Sequence, residues 1–173
     1  MKQSVLALAL AGWGSLAAGP LWAAEKIELT TRVSGVVDQV LVKVGQRVSK
    51  GTVLLRLEKT ILQARLDEAA AEHARAQADE GDAKRELERA QELFNRTVSS
   101  TTELDAAMLR QARAQASLSA ANARRVIAQQ NLNDAELKAP LDGVIGGIPG
   151  APGTVVTAEC QPKILVILNA GRP

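Results

Sequence analysis

The chain has 173 residues, enough for about one domain, and its 21 basic and 19 acidic side chains leave a net charge of +2. A charge this close to zero argues against a nucleic-acid binder, which needs a basic surface to neutralise phosphates. The three aromatic residues, Trp13, Trp22 and Phe94, are too few for a base-stacking surface or an aromatic-lined ligand pocket. One histidine and one cysteine exclude most metal sites and most acid–base catalytic sites. We therefore expect a protein that is not an enzyme and that holds no cofactor and no metal.

Residues 1–24 have the layout of a secretory signal. Lys2 gives a basic start, an apolar stretch follows at 5–16, and small residues stand at the expected cleavage point, Ala23 and Ala24. The apolar stretch is shorter than the ~20 residues of a membrane span, although retention of the segment as an N-terminal anchor stays open. The sequence therefore predicts a periplasmic protein, and association with the inner membrane is left open.

A helical hairpin is predicted for residues 59–137, which are rich in the strong helix formers Ala, Glu, Arg, Gln and Leu. Two stripes of mostly small or apolar residues recur with alternating steps of three and four, the spacing of a coiled-coil seam. A polar, β-branched stretch at 95–102 separates them, so we expect helices at about 60–95 and 101–136. Such helices form an antiparallel rod about 50 Å long. The first stripe is Leu62, Leu66, Ala69, His73, Ala76, Glu80, Ala83, Leu87, Ala90 and Phe94, and the second is Leu104, Ala107, Gln111, Ala114, Leu118, Ala121, Arg125, Ala128, Leu132 and Ala135.

The turn between the helices fixes which seam residues face each other. The many alanines in the two stripes predict close helix packing and modest stability, and the polar seam residues weaken it further. Gly81, in the middle of the first helix, costs about 1 kcal/mol relative to Ala and is a predicted flex point. If Phe94 faces Leu104, the facing pairs are Leu62 with Ala135, Leu66 with Leu132, His73 with Arg125, and Glu80 with Leu118.

Both predicted helices carry a signal for their first residue. Thr60 with Gln63, and Ser100 with Glu103, fit the capping box, in which a hydroxyl and a carboxylate or amide satisfy free backbone amides reciprocally. We therefore expect a capped N-terminus on each helix.

The segments on either side of the hairpin, 25–58 and 138–168, are two copies of one short β-unit, and a tail follows at 169–173. At an offset of 108 residues the turn and strand residues of the two copies coincide. Each copy is too small to bury a core alone, so we expect the two to pair into one small β-sandwich at the base of the rod. The predicted class is α+β. The aligned pairs are Gly35 with Gly143, Val36 with Val144, Val37 with Ile145, Gly45 with Gly153, and Val48 with Val156.

These segments resemble the periplasmic adaptor subunits, or membrane fusion proteins, of Gram-negative tripartite efflux and secretion systems. The residues that carry the resemblance are Val33-Ser-Gly-Val-Val37, then Val44-Gly-Gln-Arg-Val-Ser-Lys-Gly51, and Leu137-Lys-Ala-Pro-Leu-Asp-Gly-Val-Ile145 after the hairpin. Each stretch alone is weak, but two separated halves with an inserted heptad hairpin are a specific combination. The resemblance implies a lipoyl-like β-sandwich bearing a helical hairpin.

The resemblance also implies a role and a site. Adaptors of this family bridge an inner-membrane transporter and an outer-membrane channel without catalysis, and they assemble as rings, commonly of six copies. In members that serve drug-efflux pumps, an Arg-x3-Leu-x6-Ser pattern at the hairpin tip docks into the channel. Arg89, Leu93 and Ser100 have this spacing. Each also has a plainer reading, because Arg89 fits a solvated helix residue, Leu93 a neighbour of the seam, and Ser100 a helix cap.

One departure from the family bears on the transporter. The family usually continues past the second half into a β-barrel and a membrane-proximal domain, whereas this sequence ends at Pro173. Contact with the transporter is therefore doubtful on sequence grounds. A minimal adaptor, a component that works beside a longer one, and a truncated non-functional copy all stay open.

Two further readings compete with the adaptor. A structural or chaperone-like periplasmic coiled coil would share the charged helices. A lipoyl or biotin carrier needs its modified lysine at the tip of a tight turn, but Lys59 and Lys138 flank the hairpin instead, which argues against it.

Overall fold

The structure is a computed structural model that describes residues 25–158 and 162–170. The expected secretory signal at 1–24 lies outside the described residues, and so does Cys160. Within the described ranges the chain forms eight strands and two helices. In chain order they are β1 (Lys26–Leu29), β2 (Gly35–Val40), β3 (Arg47–Val48), β4 (Val53–Leu57), α1 (Thr60–Asn95), α2 (Thr101–Asn133), β5 (Glu136–Lys138), β6 (Gly143–Gly147), β7 (Val155–Val156) and β8 (Val166–Ala170).

The strands form two four-stranded sheets, ordered β1-β8-β6-β3 and β5-β4-β2-β7. Alternate residues of both sheets point into one core, as period-two side chains on a half-buried sheet do. The predicted α+β class, a β-sandwich with a helical hairpin inserted between its halves, is confirmed. The most completely buried side chains are Val37, Leu54, Leu55, Leu57, Ile145, Val156, Leu165, Val166 and Leu168.

The two copies of the β-unit exchange strands. In one sheet β2 of the first copy pairs with β7 of the second, so that Gly35 lies opposite Val156. In the other sheet β3 of the first copy pairs with β6 of the second, so that Val48 lies opposite Gly143. Because each copy completes the other's sheet, neither has a core without its partner.

The seam between α1 and α2 is lined by alanine. The most buried residues of α1 recur every seven positions, at Leu62, Ala69, Ala76 and Ala83. Those of α2 are also alanines, namely Ala107, Ala121 and Ala128. Small side chains let the helices approach closely but bury little apolar area per turn, so tertiary packing contributes modestly to the rod.

Two members of the predicted second stripe are not part of the seam. Arg125 is exposed and its guanidinium donates to Asn122 Oδ1 at 3.3 Å, so its assignment as a seam residue facing His73 is wrong. A long cationic side chain reaches water from a seam position more cheaply than it loses hydration. α2 ends at Asn133, and Ala135 lies beyond it, completely buried in the sandwich core.

Two ion pairs connect the helices along one edge of the seam. Glu72 pairs with Arg124, and Glu86 pairs with Arg110. In each pair α1 supplies the carboxylate and α2 the guanidinium, and the two pairs are 14 residues apart on both helices. Their equal spacing means that both report the same helix register, which agrees with Phe94 facing Leu104.

Candidate functional site

The tip of the hairpin is a tight turn that closes α1 with a Schellman motif. The amide of Thr97 donates to the carbonyl of Phe94 at 2.9 Å, and the amide of Val98 donates to the carbonyl of Leu93 at 3.1 Å. This pair of bonds requires a left-handed residue, for which glycine is usual, and here Thr97 adopts it with φ of 59°. A β-branched residue is strained in this region, so the fold stores strain at the apex of the rod.

The N-terminus of α2 is held by Ser100. Its hydroxyl accepts from the amide of Glu103 at 3.3 Å, and the carboxylate of Glu103 accepts from the amide of Ser100, also at 3.3 Å. The predicted capping box at Ser100 is therefore confirmed. A hydrogen bond from the Ser99 hydroxyl, and then the one from the Ser100 amide, hold the pKa of Glu103 below its usual value.

The capping box predicted at Thr60 is wrong. The cap position of α1 is Lys59, whose backbone is already close to helical (φ −98°, ψ −11°), and no side chain caps the helix. A side-chain cap needs an extended backbone at that position. The amide group of Gln63, expected to complete the box, donates to Asp67 at 2.9 Å instead.

Arg89 and Leu93 lie one turn apart on the last third of α1. The Nε of Arg89 donates to the carbonyl of Arg85 at 3.3 Å, and no ion pair holds its guanidinium within the part of the chain that the structure describes. Leu93 is 46% exposed, which is unusual for a leucine next to the half-buried Phe94. The two side chains share the approach to the turn, and Ser100 begins the helix on the other side of it.

Val98, at the apex, is a further candidate that the sequence did not single out. It is 74% exposed, the highest fraction among the large apolar side chains of the described ranges. Nothing in the local pattern distinguishes a valine in a polar connection from a buried one, so its exposure follows only from the turn geometry. The tip thus presents Leu93 and Val98 as apolar contacts beside a cationic side chain, Arg89.

At the opposite end of the rod, Glu136 on β5 gathers three cations. Lys59 Nζ lies 2.8 Å from its carboxylate, Arg56 Nε 3.4 Å and Lys138 Nζ 3.5 Å. The hydrogen bond from Lys59 is the main cause of the lowered pKa of Glu136. Lys59 and Lys138 therefore lie in an ion-pair cluster beside the helix, not at a turn tip where a carrier domain presents its modified lysine.

Two classes of feature do not occur in the described ranges. Among residues 25–158 and 162–170, no three His, Cys, Asp or Glu side chains come close enough together to hold a metal ion. Neither helix that the structure describes has a stretch long and apolar enough to cross a membrane.

The strongest comparison is with a protein family. The sequence model of the family described as CzcB-like, barrel-sandwich hybrid domain, matches residues 25–165. This range contains both copies of the β-unit and the whole hairpin, so the match covers the architecture described above and not one motif within it.

Curated relatives are similar over the same range. The efflux pump periplasmic linker BepF of Brucella suis is 34% identical over 149 residues, which cover 86% of this chain and 36% of that protein. The multidrug resistance protein MdtA of Cronobacter turicensis is 30% identical over 128 residues, which cover 74% of this chain and 31% of that protein. The chain thus spans little more than a third of the length of either relative.

A solved structure shares the fold. The membrane fusion protein Spr0693 from Streptococcus pneumoniae superposes with a TM-score of 0.64 at 20% identity, over 86% of this chain and 60% of that protein. At this level of identity the likeness extends to the sandwich and its inserted hairpin.

Proposed function

The chain belongs to the CzcB-like barrel-sandwich hybrid family of periplasmic adaptors, the membrane fusion proteins, and from this premise we propose that it links an inner-membrane transporter to an outer-membrane channel. In this role it is non-catalytic and holds neither cofactor nor metal. It acts in the periplasm beside the inner membrane, and several copies work together.

One observation carries this proposal. The chain has a rigid two-helix rod whose free end displays Arg89, Leu93 and Ser100 within one tight turn. An unpaired guanidinium suits carbonyls or carboxylates of a partner, and an exposed leucine supplies an apolar anchor. We therefore infer that the tip docks on the outer-membrane channel, and that the sandwich end faces the transporter.

The three tip residues take different parts in the proposed contact. Arg89 and Leu93 are free of structural duties apart from one backbone hydrogen bond, so both are available to a partner. Ser100 already caps α2 through its hydroxyl. Its part in docking is therefore to set the direction of α2 at the tip, together with whatever contact its exposed hydroxyl makes.

Site-specific photo-crosslinking in intact cell envelopes tests the proposal. A photoreactive residue replaces Asn95, which is exposed at the end of α1, and the same residue at the exposed Gln115 in the middle of α2 serves as the control. We expect a crosslink to an outer-membrane channel protein from position 95 and none from position 115. If a folded, exported protein gives only self-crosslinks or no product at position 95, a structural coiled coil is the better reading.

A further inference from the structure

The side of α2 that faces away from α1 carries a second apolar stripe. We call it the outer face of α2: Leu109, Arg113, Ala116, Ala120, Ala123 and Ile127, spaced by alternating fours and threes after the first step. Leu109 is 52% exposed and Ile127 is 61% exposed, and all six side chains are exposed in this chain. A coiled-coil spacing with large apolar residues left in water indicates a surface that a partner helix covers.

α1 has a complementary outer face on its own far side. It consists of Ala71, Ala74, Ala78, Gly81 and Arg85, again in steps of three and four. Gly81 has no explanation within the chain: a Cβ there would meet only the flexible end of Arg85, at 3.8 Å. A mid-helix glycine weakens its helix, and close approach of another backbone is the usual reason for keeping one.

The two outer faces match when two hairpins stand side by side at the same height. The register inside the hairpin pairs residues whose numbers add to about 197, as Ala76 with Ala121 do. Applied between two copies, the same register sets Ala116 against Gly81 and Ile127 against Ala71. It also sets Ala120 against Ala78 and Ala123 against Ala74, so small residues meet small ones and the large Ile127 meets an alanine.

Charge selects which helix lies next to which. α1 carries nine carboxylates against five cations, a net charge of −4, and α2 carries four arginines against two carboxylates, a net charge of +2. Contacts between like helices would bring charges of one sign together, whereas α2 against α1 is attractive. In this arrangement Arg113 of one copy approaches the Asp82–Arg85 ion pair of the next.

We propose that copies of this chain associate head to tail, the outer face of α2 in one copy packing on the outer face of α1 in the next around Gly81. The contact is heterologous, so each copy uses one face for each neighbour. This inference rests on the self-association in the proposed function and names its surface.

Sedimentation velocity of the purified protein tests the proposal over a range of concentrations. Ala74→Glu blocks the outer face of α1 and Ile127→Glu blocks that of α2, both at exposed helical positions. We expect the unchanged protein to form species larger than a dimer, and each variant alone to stay monomeric. An equal mixture of the two variants should form a dimer and nothing larger, because each supplies the face that the other has lost.

A matched control and a glycine variant sharpen the test. Gln115→Glu adds the same charge to another exposed side of α2 and should self-associate like the unchanged protein. Gly81→Ala should raise the helicity of the isolated chain and yet raise the Kd of self-association about tenfold or more, because the added methyl separates the helices.

Other outcomes overturn the proposal. Dimers of Ala74→Glu alone would mean that α2 packs on α2, and undiminished association of both glutamate variants would mean that another surface is used. A monomeric unchanged protein at all concentrations would also refute it. None of these results touches the docking tip, which the crosslink from position 95 tests separately.

Discussion

Gly45 and Gly153 occupy equivalent points of the internal repeat and make equivalent hydrogen bonds. The amide of Gly45 donates to the carbonyl of Ile145, and the amide of Gly153 donates to the carbonyl of Val37, both at 2.8 Å. Both glycines have left-handed backbones, with φ of 82° and 83°. Since Ile145 and Val37 are themselves equivalent, the approximate two-fold symmetry extends from the turns to the strands that they join.

This symmetry predicts equal effects for Gly45→Ala and Gly153→Ala. No atom lies within 4 Å of a Cβ at either position, so the cost comes only from forcing an alanine into the left-handed region. We expect each substitution to lower the free energy of unfolding by about 1–2 kcal/mol in urea titrations. Gly35→Ala is the control, because its Cβ makes an ordinary 3.6 Å contact with Leu57 and its backbone is unstrained. Clearly unequal costs at positions 45 and 153 would contradict the symmetry.

The repeat and the hairpin were predictable because both are written in local periodicity. Glycines and valines at a constant offset of 108 residues mark the two β-units, and steps of three and four mark the seam. The exchange of β3 and β7 between the halves was not predictable in detail. Two-residue strands carry too little pattern to show which neighbour they pair with.

The sequence-based errors lie where one side chain had two options. Arg125 fits the seam by position, but its length lets it leave, and Thr60 fits a capping box by spacing, but its backbone is already helical. The left-handed Thr97 had no signal at all, because glycine or asparagine is the residue expected there. Spacing predicts which positions share a face, and it does not fix rotamers or the conformation of a turn.

The ion pair between Glu86 and Arg110 should stabilise the rod only slightly. Both side chains are about half exposed, so water and salt screen the attraction. A double-mutant cycle with Glu86→Gln and Arg110→Gln should give a coupling of roughly 0.2–1 kcal/mol in thermal unfolding. The coupling should fall as salt is raised towards 1 M, where screening reaches a few ångströms. A large, salt-independent coupling would mean that the pair is buried in an assembly.

Ser100 allows its structural part to be separated from docking. Ser100→Ala removes the cap and should lower stability by about 1 kcal/mol in thermal unfolding. Ser100→Asn keeps a good cap and should restore that stability. If docking needs the hydroxyl itself, Ser100→Asn should still lose the crosslink from position 95. A crosslink that follows stability in both variants would assign Ser100 to capping alone.

Acid should weaken the base of the hairpin through Glu136. Its pKa is lowered in the folded protein, chiefly by the hydrogen bond from Lys59, so folding favours the ionised form. The resulting stability is fully present above the ordinary glutamate pKa, about 4.3, and is lost as pH falls through the lower folded-state pKa. Unfolding measured from pH 6 downwards should therefore show a smaller loss for Glu136→Gln than for the unchanged protein. Equal losses would mean that other carboxylates set the acid limit.

Arg89 and Leu93 should matter for docking and not for the fold. Arg89→Ala and Leu93→Ala keep strong helix formers on an exposed surface, so circular dichroism should show unchanged helicity. Both should nevertheless abolish adaptor function, measured as loss of the channel crosslink from position 95. Arg85→Ala, one turn earlier on α1, is the comparison for a loss of charge away from the tip. Full crosslinking by the Arg89 and Leu93 variants would favour a scaffold, whose tip has no partner.

The strained turn at Thr97 should be improved by glycine. Thr97→Gly relieves the left-handed threonine while keeping both hydrogen bonds of the Schellman motif, so thermal unfolding should show a gain of about 1 kcal/mol. The increase in stability should come with an unchanged crosslink from position 95, because the backbone path that directs Val98 outward is the same. A gain in stability with loss of the crosslink would show that the threonine side chain itself takes part in the contact, and no gain at all would mean that the turn is not strained.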